Sequence, residues 1–444
     1  MSSRKRFLQQ ASMLTAGSML ASSLSNDVFA IFKNRIAPSD QLNIGAIGIN
    51  GMGWTDVLSI LKIPGVNLVA LCDIDNNVLD RRMGELAKLN IDASKVKRFN
   101  DHRALLDMKE VDAVIIGTPD HWHCLIMTDA CRAGKEVYVE KPVGNSIEEC
   151  RIMIAAQKKY NRVVQAGQWQ RSMQHFQDAV AYIHGGELGK IRSVRVWCYV
   201  GWKKPIPYVA DSAAPAGVDY TRWLGPAQTR PFNTNRFHFT FRWFWDYAGG
   251  LMTDWGVHLL DYALIGMKAT VPKSIAAMGG NFAAPDSPQE TPDTMTALYQ
   301  FDNFNLQWEH AIGIDGGMNK TDHGLAFIGE NGTLELDRSG WEVYEEPKSD
   351  KKAKVERRTP KDNALDRHME NFVSVIKSGK MEDLHCPIEE ASHIAVLSQM
   401  GNIAFRSGKK LEWDKQKGRF TDESINKKYL AAPYHNGYKL PVIG

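Results

Sequence analysis

The sequence predicts an α/β protein of two domains: an N-terminal doubly wound parallel sheet, then an α/β domain with a large, mostly antiparallel open sheet. Three observations carry this. The chain has 444 residues, 43% of them hydrophobic, enough for two ordinary cores, because a single core stops growing at roughly 250 to 300 residues. From Gln41 to Gly167 short apolar runs alternate with amphipathic stretches, which is the order of repeated βαβ units. After about residue 185, runs such as IRSVRVWCYV, TMTALYQF and NLQWEHAIGI follow one another with fewer helices between them, the texture of an antiparallel sheet.

Residues 1–30 differ in kind from the rest. Arg4, Lys5 and Arg6 precede a weakly apolar stretch from Ala11 to Leu24, too short for a membrane span of about 20 residues. This pattern predicts an export signal and a periplasmic or otherwise exported protein. Ser3-Arg4-Lys5-Arg6-Phe7-Leu8 resembles the twin-arginine pattern, with Lys5 at the second arginine position, and Val28-Phe29-Ala30 places cleavage after Ala30. The alternative is a plain N-terminal extension of a cytoplasmic protein.

The first domain is expected over residues 41–168. LNIGAIGI is its first strand, followed by a helix to Lys62, the strand VNLVALCDID and a charged helix from Asn76 to Leu89. DAVIIG, from Asp112 to Gly117, is a strand leading into a helix through Cys131. Glu136–Val139 is the next strand, then a helix from Ser146 to Tyr160 and the strand RVVQAG. The second domain is expected over residues 169–444, with one helix from Gly250 through Ala263, another from Asp366 to Gly379, and a solvated loop between Glu345 and Asp362.

A net charge of +3 leaves no field for nucleic acid or an anionic membrane surface, so the expected partner is a small molecule. None of the six cysteines forms a Cys-x-x-Cys pair, so no zinc ribbon is supported. Cys72, Cys124 and Cys131 fall where small core residues belong.

Gly45, Gly48, Gly51 and Gly53 crowd the junction of the first strand and first helix, where glycine lets the backbone approach a pyrophosphate at a helix N-terminus. Gly48 and Gly53 match the outer glycines of G-x-G-x-x-G, and Asn50 stands at the middle one, beside Gly51 and Met52. The second strand ends at Asp73, twenty residues after Gly53, where a carboxylate accepts hydrogen bonds from the adenosine ribose and repels a 2′-phosphate. The expected cofactor is NAD, on a Rossmann domain, with Asp75 facing solvent.

Thr118-Pro119-Asp120-His121-Trp122-His123 follows DAVIIG at the edge where doubly wound sheets bind ligands, which makes Thr118, Pro119, His121 and His123 candidate cofactor contacts. Glu140-Lys141-Pro142 follows the next strand. A lysine there could orient and polarise a substrate hydroxyl. Asp254 and His258 stand four apart, on one face of the predicted helix. His258 could take the hydroxyl proton, and Asp254 could orient it or bind a neighbouring hydroxyl. Asp261 is assigned a structural role. Hydride removal from a carbinol needs such a set, whereas the spacings of His121, His123, Asp254 and His258 match no closed metal site.

Six of the twelve tryptophans fall between Trp197 and Trp255. Flat aromatic faces suit pyranose rings, with Trp243 and Trp245 expected nearest the pocket. Asn233, Asn235, Arg236, His238 and Arg242 are candidates for binding hydroxyls.

These residues resemble the Gfo/Idh/MocA oxidoreductases, the family of glucose-fructose oxidoreductase and inositol dehydrogenase, over nearly the whole chain after the N-terminal stretch. The resemblance implies a catalytic set of Lys141, Asp254 and His258, with Glu140 and Lys141 also near the cofactor. It implies an open sheet used for homodimer or homotetramer contacts, and the tail looks like that of longer exported members from Bacteroidetes-type bacteria. The implied activity is hydride transfer between a sugar or glycoside secondary alcohol, typically at C3, and a tightly bound nicotinamide. The alternative is an NAD-dependent glycosidase using transient C3 oxidation, elimination and hydration; the intact Glu140-Lys141-Pro142 favours the dehydrogenase. A third reading, a sugar-binding protein with a vestigial dinucleotide fold, is disfavoured by the complete Lys141, Asp254 and His258 set.

Overall fold

The computed structural model describes residues 41–444; the export segment expected over residues 1–30 lies outside them. The first sheet has strands β1 (Leu42–Ile47), β2 (Val66–Cys72), β3 (Lys97–Phe99), β4 (Ala113–Ile116), β5 (Glu136–Val139) and β6 (Val164–Ala166), in the order β3-β2-β1-β4-β5-β6. Every pairing in it is parallel. The order reverses between β1 and β4, and the crevice outside their C-terminal ends is the place for a ligand in such a sheet.

Helices α1 (Met52–Ile60), α2 (Asn76–Glu85), α3 (Asp120–Arg132) and α4 (Ile147–Tyr160) cross between these strands. Ile44, Ala46, Val137, Tyr138 and Val139 are fully buried, as expected where helices cover both faces of a parallel sheet. The ends of α4 follow local chemistry: the Ser146 side chain accepts from Glu149 N–H, and Asn161 stops the helix in the left-handed region.

The second sheet runs β14-β13-β12-β11-β7-β10-β9-β8-β15-β16. Its strands are β7 (Ser193–Val200), β8 (Ser274–Gly280), β9 (Thr294–Gln300), β10 (Asn305–Ile312), β11 (His323–Ile328), β12 (Gly332–Asp337), β13 (Gly340–Glu345), β14 (Val355–Arg358), β15 (Leu411–Asp414) and β16 (Arg419–Phe420). Only β7 and β10 pair in parallel. In β9, Met295, Ala297 and Tyr299 turn inward while Leu298 faces out, the two-residue period of a sheet covered on one side. The covering helices include α5 (Gln174–His184) and α7 (Gly256–Met267).

Several features differ from the sequence expectation. The helix expected from Gly250 through Ala263 is two helices, α6 (Gly250–Asp254) and α7, broken at Trp255. Part of the expected solvated loop is β14, a charged strand at the sheet edge. Helix α5 was not anticipated. Nor was the twenty-residue α9 (Ile388–Ser407), because it has no clear polar face.

The reason for the last lies in its packing. Ala391 and Ala395 enter the core under the first sheet, while Leu397, Met400 and Ile403 enter the core of the second, and a helix buried all round carries no stripe to detect. Helix α8 (Ala364–Ser378) likewise sends Met369, Phe372 and Val373 into the core beside Ile44 and Tyr138. The C-terminal part of the chain therefore completes the first domain. All six cysteines are buried and unpaired.

Candidate active site

A cleft of about 510 Å³ runs between the two domains, from the C-terminal edge of the first sheet to the face of the second. At one end lies the glycine turn. Gly48 leaves β1 at φ +78°, and a Cβ there would fall 2.7 Å from the Thr118 nitrogen. A Cβ on Gly53 would fall 2.1 Å from the Gly48 carbonyl oxygen, so Gly53 lies behind the cleft and lets α1 pack against the strand. Gly51 is different. Nothing lies within 4 Å of where its Cβ would be, and it opens α1 without a side-chain cap. Uncapped N–H groups at a helix start, facing open space, form an anion cradle.

Gly48, Asn50, Gly51, Met52, Asp73, Thr118, Pro119, Glu140 and Lys141 all line the cleft. The Asp73 carboxylate accepts from Ile49 N–H at 3.0 Å and from Asp75 N–H at 3.1 Å. Burial pushes it up to about 6 against those hydrogen bonds. Cradle, acidic strand end and cleft together fit a nicotinamide dinucleotide.

Two stretches of the second domain cross this end. Around Gly217, backbone bonds join Asn76 N–H to Gly217 O at 2.9 Å and Asp219 N–H to Ile74 O at 3.0 Å. His238, held at φ +48°, places Nδ1 3.0 Å from Asn50 Nδ2 and Nε2 3.1 Å from Asp75 Oδ2. Asp75, expected to face solvent, is therefore only 4% exposed, and its other oxygen caps α2.

At the opposite end Lys141, just past β5, reaches Asp254 at the end of α6. Its ammonium donates to Asp254 Oδ1 at 2.7 Å and to the Asp254 carbonyl at 3.1 Å; the two side chains are 13% and 19% exposed. Arg242 Nε donates to the same Oδ1 at 3.3 Å. Burial alone would raise the Asp254 carboxyl, but the two cations outweigh it and hold it well below the usual carboxylate range. An ammonium has three N–H bonds, and two are spent on Asp254.

His258 stands in the first turn of α7, with its ring 6.0 Å from Trp169 and 6.3 Å from Trp255. Its Nδ1 is buried without a hydrogen-bond partner. Burial, then the charges of Lys141 and Arg338, hold the imidazole neutral, well below its ordinary value. Asp120 and Glu140, also on the cleft, are each pushed up to about 7, first by burial. The break at Trp255 matters here: Asp254 and His258 come from consecutive helices rather than from one face of a single helix.

Several expected contacts fall elsewhere. His121 packs behind the cleft, with Nε2 3.1 Å from Trp223 O and its ring against Trp223 and Tyr247. His123 lies between the carbonyls of Thr118 and Pro142, at 2.8 and 2.7 Å, and so ties the Thr118 turn to the one after Lys141. Trp243 is 1% exposed beneath the Lys203 ammonium, and Trp245 lies against Arg406. Neither borders the cleft. Asn233, Asn235 and Arg236 hold the chain near residues 207–211. Of that stretch only His238, Phe239, Phe241 and Arg242 reach the cleft. Among the described residues no group of three or more His, Cys, Asp or Glu is placed to hold a metal ion. Residues that went unrecognised are Trp169, Trp202, Phe239, Trp255 and Arg338. Arg338 sits in the two-residue turn between β12 and β13, where Asp-Arg-Ser-Gly reads as an ordinary hairpin.

A dinucleotide turn and a Lys-Asp-His set in one cleft define the class of nicotinamide-dependent oxidoreductases. The oxidoreductase family's NAD-binding Rossmann fold matches residues 42–168, and its C-terminal alpha/beta domain matches residues 196–440. The chain belongs to the Gfo/Idh/MocA oxidoreductase family, and its cofactor is NAD. A glycosyl hydrolase family 109 protein of Shewanella putrefaciens is 33% identical over 33% of this chain and 35% of the relative; the match thus spans about a third of such relatives. Solved structures of similar fold include the aldose-aldose oxidoreductase of Caulobacter crescentus, complexed with glycerol, at TM-score 0.62 and 18% identity over 84% of this chain and 99% of that one. A levoglucosan dehydrogenase complexed with NADH and levoglucosan has TM-score 0.63 and 16% identity over the same shares.

Proposed function

We propose that the protein oxidises or reduces a sugar: it moves a hydride between a secondary alcohol of a sugar or glycoside, C3 of a pyranoside, and a nicotinamide that stays bound throughout. One observation carries this reading. A single cleft holds the glycine turn and Asp73 at one end and Lys141, Asp254 and His258 at the other. When bound, NAD supplies the hydride acceptor.

The chain's own residues do the rest. Lys141 offers its remaining N–H to the substrate oxygen, and the ion pair with Asp254 fixes where that N–H points. His258, held neutral, accepts the hydroxyl proton as the carbinol C–H bond breaks. The charges of Lys141 and Arg338 then drive that proton off the imidazolium. At the cleft mouth Trp202 and Phe239 are 57% and 54% exposed, with ring centroids 6.1 Å apart, and offer flat faces to the C–H side of a pyranose. Two proteins of similar fold, an aldose-aldose oxidoreductase and a levoglucosan dehydrogenase, act on sugars and support the same substrate class.

Retention follows from location. An exported enzyme, as the basic and apolar N-terminal stretch predicts, meets no soluble nicotinamide pool, so a second carbonyl compound must take the hydride and proton back. The crossings at Gly217 and His238 support retention by closing the second domain over the loops that carry Asn50 and Asp73. The likeness to glycosyl hydrolase family 109 favours one second reading, a redox-neutral cycle in which C3 oxidation acidifies the C2 proton, the aglycone leaves, water adds and the hydride returns.

The test is to mix NAD-loaded protein with a panel of methyl and aryl pyranosides and follow the absorbance of reduced nicotinamide. The expected result is up to one reduced nicotinamide per chain, discharged by an added carbonyl compound. Aglycone release without net reduction selects the glycosidase cycle. Neither signal from any pyranoside overturns both.

A further inference from the structure

We infer that the substrate is an anionic sugar, a pyranoside bearing a carboxylate, and that Arg338 binds that carboxylate. The inference deepens the proposed function and rests on its assignment of the Lys141 end of the cleft to substrate.

The guanidinium of Arg338 lies between two indoles, 4.6 Å from the Trp169 ring and 4.5 Å from the Trp255 ring. Both rings and Arg338 itself border the cleft beside His258. Among the described residues its only hydrogen bonds run to a neutral acceptor, Gln170 Oε1, from Nε at 3.1 Å and Nη2 at 2.8 Å. Those two nitrogens share one edge of the fork. The end-on pair of N–H bonds, one on each Nη, has no acceptor among the described residues.

The acids that could neutralise this cation are engaged elsewhere. Asp337, next in sequence, is bound to Arg357 through both oxygens. Asp254 belongs to Lys141 and Arg242, and Asp322 pairs with His323 at 2.6 Å. No carboxylate lies within 4.0 Å of Arg338 among the described residues. Burial accordingly pulls the guanidinium down to about 10, from a value normally far above reach.

The count of charges points the same way. Lys141, Arg242 and Arg338 face this end of the cleft with Asp254, Asp120 and Glu140, and because burial pushes the last two up to about 7, the cations outnumber the ionised carboxylates below that pH. A partly buried cation with no carboxylate in reach costs free energy that a ligand anion recovers. A planar fork with its end-on edge free matches the two coplanar oxygens of a carboxylate in bidentate geometry.

The experiment compares binding of methyl glucuronide, methyl glucoside and a glucose sulfate to NAD-loaded protein by calorimetry, in the wild type, Arg338→Gln and Arg338→Lys. The expected result is that the glucuronide binds about tenfold or more tighter than the glucoside, that R338Q brings this ratio close to one, and that R338K keeps part of it. A merely structural role for Arg338 would weaken both sugars together and leave the ratio unchanged, which overturns the inference. So would equal binding of the two sugars by the wild type, or tighter binding of the sulfate than of the carboxylate. Glucuronide binding through Arg338 without nicotinamide reduction would overturn the proposed oxidoreduction and leave this inference standing.

Discussion

The two ends of the cleft recognise their ligands by different physics. The dinucleotide end is made of backbone: a left-handed glycine, an uncapped helix start and an acidic strand end, all within one βαβ unit. The opposite end is made of charged and aromatic side chains brought from separate segments, Lys141, Trp169, Trp202, Phe239 to Arg242, Asp254 to His258, and Arg338. Backbone recognition tolerates little change in the chain's path and is shared by any sequence that makes the turn. Side-chain recognition leaves the path alone and can be retuned residue by residue, so the identity of the substrate resides there.

That difference can be broken most sharply at Lys141. Lys141→Ala should lower turnover by about 10³-fold or more while the protein still holds its nucleotide, checked by single-turnover reduction and by the nucleotide content of the purified variant. Joint loss of turnover and nucleotide would mean that the two ends are not separable. Gly53→Val attacks the other end. Its side chain has no room beside the Gly48 carbonyl, so the turn must open, and NAD affinity should fall by about 100-fold as measured by titration.

His238→Ala tests whether the second domain closes the dinucleotide end. Two hydrogen bonds, to Asn50 and Asp75, are lost, each worth about 0.5–1.5 kcal/mol, so release of NADH, followed by its fluorescence on chasing with NAD, should accelerate roughly tenfold. An unchanged rate would show that the crossing at Gly217 alone keeps the groove shut.

The smallest expected effect is on stability. Asp56, on α1 beneath Glu140, is fully buried with both carboxyl oxygens unpartnered, and burial first, then the Glu140 charge, raise it well above its ordinary 3.8. The folded state holds this proton where the unfolded chain releases it. Its contribution is therefore fully present below pH 3.8 and is lost as pH rises towards the folded value. Asp56→Asn removes that loss. Its melting temperature relative to wild type should rise by about 2 °C or more between about pH 5 and pH 8. A constant difference across that range would mean that Asp56 is not held protonated.

The same contrast explains what the sequence could disclose. The glycine turn, Asp73 and Glu140-Lys141-Pro142 are local, and each lies where its strand end puts it. Asp254 and His258 were legible as a spaced pair, although the helix break at Trp255 that brings His258 beside Trp169 has no local signature. Tryptophan density pointed to the right stretch and to the wrong members: Trp243 and Trp245 pack inward, whereas Trp202 and Trp255 of the same stretch reach the cleft, as does Trp169 from outside it. Arg338 could not be found from its hairpin, because what marks it is the absence of an acid around it in space. Helix α9 was hidden by its burial between both domains.

In the proposed reaction a carbinol hydrogen passes from sugar to nicotinamide under Lys141 and His258. The most direct measurement uses a pyranoside deuterated at C3, mixed with NAD-loaded protein, with the released nucleotide analysed by mass and NMR. Deuterium on the nicotinamide C4 in the wild type, and none in Lys141→Ala, is the result predicted. A pyranoside that binds in the cleft yet leaves the nicotinamide unlabelled would contradict it.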